Sequence, residues 1–186
     1  MSAFELLFSL FGLLLGLSIA KLADGFSRIY DQRKTRPIGW LAPGLATVLL
    51  IDLMSFWQAA WYWRRLELQF WLVIVTGVLG LSYYFAATQV FPREGSDRSP
   101  SDHLMEHRKP VILVVFAANL IMFGSFFIAS AVTEGLVMRD WYAVGLNLAY
   151  VAALLAIGFS PNRRWTGLAI AAALLLLLII SIATIG

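Results

Sequence analysis

His103 and His107, the only histidines in the chain, stand four residues apart beside Asp102 and Glu106. Positions i and i+4 share one face of a helix, so the two imidazoles could converge on a metal ion. A catalytic zinc site needs a third protein ligand and an open position. The metalloprotease pattern would also place a glutamate directly after the first histidine, where Leu104 stands. The pair therefore reads as a solvated interfacial helix with some sensitivity to pH. A metal site, or a lipid-modifying enzyme using the His103 and His107 face, is the alternative.

Asp52 is the other group with chemical potential, because it lies inside a long apolar run. A charge at the centre of a bilayer costs at least about 2.5 kcal/mol, so intramembrane acids generally face a bundle interior or water and are candidates for function. Ser55 and Gln58 lie roughly on its face. Residue counting puts Asn119 and the Ser82, Tyr83 and Tyr84 triplet at comparable depth, so a polar cluster near the midplane is expected. Its structural alternative is an acid that only ties helices together.

Many chemistries are excluded. There is no cysteine, so thiolate ligands, cysteine nucleophiles and disulfides are absent together. A bis-His haem needs ligands from facing helices, and both histidines occupy one connection. None of the apolar runs holds a histidine or lysine to activate a serine nucleophile. No phosphate-binding glycine loop occurs, so ATP-driven transport by this chain alone has no motif, and no cofactor is implied.

These side chains must be positioned by helices in lipid. The 186 residues are 60% hydrophobic and 13% charged, and they resolve into six apolar runs near 4–20, 40–62, 70–90, 110–132, 141–159 and 166–185. About twenty apolar residues are what a helix needs to cross a core roughly 30 Å thick. The expectation is an all-α, polytopic transmembrane bundle of six helices forming a single domain over 1–186, with no soluble domain. The N-terminus lacks the basic region of a secretory signal, so the first run reads as a retained helix. Prolines and tryptophans gather at the ends of runs, as backbone satisfaction and the aromatic belt require.

Basic residues set the expected orientation. Lys21, Arg28, Arg33, Lys34 and Arg36 follow the first run, Arg93, Arg98, Arg108 and Lys109 the third, and Arg163 and Arg164 the fifth, whereas the opposite side has only Arg64, Arg65 and Arg139. Both termini should therefore be non-cytoplasmic, in a bacterial inner membrane. The first helix should continue to about Tyr30, because Leu22, Phe26 and Ile29 prolong its apolar stripe. Its basic tail, Lys21 to Arg36, should touch anionic lipid headgroups rather than nucleic acid. Gly12, Gly16 and Ala20 form a small-residue stripe that would admit a second helix, from this chain or another copy. In the longest connection Ser101 could cap a short helix to about Arg108, with Pro110 opening or kinking the next span.

The function expected is a small homo-oligomeric membrane protein forming a passage or cavity for an ion, proton or small solute, with Asp52 bearing the charge. The alternative is a non-catalytic sensor or scaffold that recruits a cytoplasmic protein partner through its basic and polar loops.

Overall fold

The computed structural model describes residues 3–34, 38–60, 70–93, 95–96, 98–133 and 140–183, with the backbone alone for 3, 126–133, 140 and 183. Six helices account for most of them: α1 (Ala3–Asp31), α2 (Leu41–Ala60), α3 (Phe70–Val90), α4 (Pro100–Thr133), α5 (Asp140–Phe159) and α6 (Arg163–Ala183). Each is long and apolar enough to cross a membrane.

Helix contacts run α1 to α3, α3 to α4, α4 to α5, α5 to α6, α6 to α2 and α2 back to α1, and α2 also touches α3 and α4. The second helix is thus pressed inward from this ring. Half of its apolar window is buried, against 22% for α5. The reason is legible in α1, whose buried residues Leu7, Phe11, Leu15, Ser18, Leu22, Gly25 and Ile29 recur every three or four positions and form one inward stripe. In α2 the burial wraps further round, through Leu45, Ala46, Val48, Leu49, Asp52, Leu53 and Phe56.

The first helix extends to Asp31 and is followed by a 3-10 turn, Gln32–Lys34, as the prolonged stripe implied. The fourth differs from expectation. It runs unbroken from Pro100 through Pro110, and its cap is Ser99, whose Oγ accepts the Asp102 amide at 3.2 Å and donates to the Asp102 carboxylate. Ser99 as cap, Pro100 at the first helical position and an acid at the third form a complete start signal. Ser101 is instead buried inside the first turn. Pro110 ends nothing, because a proline removes one ladder bond while the packed face on either side persists.

Close approaches occur where a glycine meets a bulky side chain. A Cβ on Gly80 of α3 would lie 2.5 Å from the Leu14 side chain of α1, and one on Gly12 would lie 2.7 Å from the Trp57 ring of α2. Gly16 has nothing within 4 Å, and Ala20 is exposed. Within one chain the small-residue stripe therefore accepts an indole at its first member, while the other two face outward. The column of Trp57, Trp61 and Arg65 that the spacing permits lies partly outside the described residues. Trp57 itself stands edge-on to Phe8 of α1, with ring centroids 5.2 Å apart.

Candidate functional site

Four helices converge on Asp52. It is 2% exposed, and its Oδ2 accepts hydrogen bonds from the Tyr83 hydroxyl of α3 and, at 2.9 Å, from Asn119 Nδ2 of α4. Asn119 Nδ2 also lies 3.0 Å from the Tyr83 oxygen and 3.1 Å from the Val115 carbonyl one turn earlier. That last contact fixes which end of the amide is nitrogen. Tyr83 is wholly buried, its ring edge-on to Phe56 with centroids 5.0 Å apart. Tyr150 of α5, 1% exposed, brings its hydroxyl beside the same carboxylate. It makes no hydrogen bond of normal geometry among the described residues.

Charged hydrogen bonds contribute about 1.5–3 kcal/mol each, so these two work against the cost of placing an acid at this depth. No lysine, arginine or histidine occurs in the apolar runs at the level of Asp52. Among the described residues the carboxylate is held by neutral donors alone.

The residues predicted at this depth divide by azimuth. Ser55 is half-buried, with its hydroxyl 2.7 Å from the Asp52 backbone carbonyl rather than on the carboxylate. Gln58 is exposed. Six residues at 100° each leave it about 120° away from Asp52, too far to share a face. Tyr84 is 41% exposed, turned about 100° round the helix from the inward-facing Tyr83. Ser82 is half-buried and outside the cluster's hydrogen bonds. Sequence reasoning missed Tyr150. The signal was its position in mid-helix, away from the ends where tyrosine normally joins the aromatic belt. Asn147, the more conspicuous polar residue of α5, donates to Ala143 of its own helix at 2.9 Å.

A second polar group lies at the start of α4. The His103 and His107 rings stack at 4.3 Å. His103 Nε2 lies 3.1 Å from the Gln89 carbonyl, and His107 Nδ1 lies 3.0 Å from the His103 carbonyl. Among the described residues no group of three or more His, Cys, Asp or Glu side chains could hold a metal. Burial, followed by the neighbouring His107 charge, lowers the His103 pKa from its ordinary 6.5. Around the pair, Arg98 bridges to Glu106 and Arg163 of α6 to Asp102. Arg108 is 9% exposed and donates to the carbonyls of Met105 at 2.6 Å and of Ser160 at 2.7 Å.

The basic tail of α1 is largely self-paired. Asp24 receives Lys21 at 3.2 Å and Arg28 at 3.5 Å, and Arg33 lies over the Tyr30 ring at 3.7 Å. Lys34 is exposed, and Arg36 is outside the described residues. Arg28 also lines a shallow cleft with Gln32, Arg93 and Ser96, formed where Phe91 packs over Gly25.

These features define a class: an apolar six-helix bundle whose innermost helix carries a buried acid. Comparison with protein-family models, curated proteins and solved structures finds no match.

Proposed function

We propose that this chain is a small multi-pass protein of the bacterial inner membrane that binds and passes a proton, ion or small solute, with Asp52 as its charge-bearing group. The observation that carries this reading is a fully enclosed carboxylate on the central helix, held by neutral donors and with no cation at its depth. An acid needed only to bridge helices could be an amide, which offers the same shape and hydrogen bonds without a charge. The carboxylate retains the one property that an amide lacks, which is exchange of a proton or cation.

Flux into vesicles reconstituted with the purified protein tests the reading. Asp52→Asn should assemble as the wild type does and lose flux. Undiminished flux in that variant would remove Asp52 from the mechanism. The basic connections further support a topology with both termini on the non-cytoplasmic side. A fluorescent protein that matures at Gly186, with an alkaline phosphatase inactive there, would reverse that orientation.

A scaffold or sensor is the second reading, favoured by the polar first turns of α4. Residues 100–109 precede its apolar run yet belong to the same continuous helix, braced by Arg163 of α6. This makes a firm polar surface for a cytoplasmic partner. Specific capture of one protein on wild type, lost on Asp102→Ala and Glu106→Ala together, would support it in a chain without flux.

A further inference from the structure

We propose that the species exchanged at Asp52 is a proton rather than a metal cation, and that Tyr150 is the positioning residue that accommodates it. This inference rests on the reading of Asp52 as the charge-bearing group.

The donor set is the first argument. Hard cations take about six or more oxygen ligands. Here Asn119 turns its Nδ2 toward the carboxylate, an orientation also held by the Val115 carbonyl, and Tyr83 directs its hydroxyl hydrogen to the same oxygen. Hydrogens therefore stand where a cation would require lone pairs. Space is the second argument. Asp52, Tyr83 and Tyr150 are 2%, 0% and 1% exposed, and an added proton needs no cavity.

Protonation changes what the carboxyl group must do. As an anion it only accepts, and Tyr83 and Asn119 supply donors. Once a proton from the aqueous phase forms an O–H bond, the group gains a hydrogen that needs an acceptor in a dry interior. The Tyr150 hydroxyl lies beside it, in no hydrogen bond of normal geometry among the described residues, and its oxygen can accept. The neutral carboxyl can therefore donate to Tyr150 while Tyr83 and Asn119 stay in place. On release the O–H bond breaks, the proton returns to water, and the carboxylate is restored with no electron transferred. The other titratable neighbour is Tyr83 on α3. The stretches of α1, α4 and α6 packed against α2 at this depth contain no Asp, Glu, His, Lys or Arg.

The test uses the full chain in lipid vesicles and two measurements. Infrared difference spectra between wild type and Asp52→Asn isolate the protonated carboxyl C=O band of Asp52, and a pH-sensitive dye inside the vesicles reads proton flux. The expected result is a band that grows on acidification equally in sodium, potassium or choline salts, with flux driven by a pH gradient in choline alone. Tyr150→Phe removes one oxygen that makes no hydrogen bond of normal geometry among the described residues; it should shift the band and reduce flux several-fold, the scale of one lost hydrogen bond. Loss of the band on adding sodium or potassium, with flux that requires either ion, would overturn the proton assignment while leaving Asp52 as the charge-bearing group. A Tyr150→Phe band and flux identical to wild type would overturn the role of Tyr150. Flux unchanged in Asp52→Asn would instead sink the underlying reading.

Discussion

The guanidinium of Arg108, on α4, donates to the carbonyl of Ser160 at 2.7 Å, directly after the last residue of α5. A cation from one helix thus closes the C-terminus of another, where carbonyls lack partners and the macrodipole is negative. The Ser160 hydroxyl is engaged with Thr166 of α6 at 2.6 Å, so one residue joins three helices. Arg108→Met keeps the apolar stem and leaves that buried carbonyl unpaired. The variant should lose about 1–3 kcal/mol of stability, read as a lower midpoint in thermal unfolding in detergent, with Arg108→Lys falling between it and wild type.

Replacing Asp52 by leucine removes the acceptor for both Tyr83 and Asn119. Asn119 keeps the Tyr83 oxygen and the Val115 carbonyl, whereas the Tyr83 hydroxyl becomes a buried donor without a partner at a cost of about 1–3 kcal/mol, so Asp52→Leu should unfold several degrees below Asp52→Asn. Equal midpoints for the two variants would show that the hydrogen bonds contribute little to assembly.

Gly12 and Gly16 should respond in opposite ways to added bulk. Gly12→Ile drives a side chain into the Trp57 ring and should destabilise the single chain by about 1–3 kcal/mol, the usual scale for overpacking. A Cβ on Gly16 has nothing within 4 Å among the described residues, so Gly16→Ile should leave the thermal midpoint of the single chain nearly unchanged. Any effect of Gly16→Ile on particle mass in mass photometry would place a second copy against that face.

Acid should weaken the start of α4. Because burial lowers the His103 pKa in the folded protein, the unfolded chain takes up its proton first as pH falls. More protons bound in the unfolded state mean that stability rises with pH. The contribution is therefore present above about 6.5 and declines as pH falls below it. Thermal midpoints measured from pH 7.5 to 5.5 should show a shallower slope in His103→Gln than in wild type.

Depth was readable from sequence, and azimuth was not. Counting residues from the ends of each apolar run put Asp52, Tyr83 and Asn119 at one level, because rise along a helix depends only on that helix. Which way each side chain faces depends on neighbours that counting does not supply, so Gln58 and Tyr84 were grouped with residues they turn away from. Tyr150 was overlooked for the related reason that an aromatic residue in an apolar run looks like packing until its hydroxyl is placed. The six helices themselves were legible because lipid offers the backbone no alternative partner. The start of α4 is also written in the chain, as Ser99, Pro100 and Asp102, while Pro110 inside the helix has the composition of a break.

The order of the helices along the chain has a consequence for biogenesis. Asp52 emerges from the ribosome before Tyr83, Asn119 and Tyr150, so the three polar groups beside its carboxylate are synthesised after it. The second helix must therefore enter the translocon with its acid unmet, and its span has a mean hydropathy of only 1.4 against 2.5 for α6. Nascent chains truncated before residue 83 should integrate this segment poorly, and chains extended past residue 119 should retain it. That result would make the hydrogen bonds at the centre of the bundle a retention device during synthesis, holding in the membrane a helix that the lipid alone would accept reluctantly.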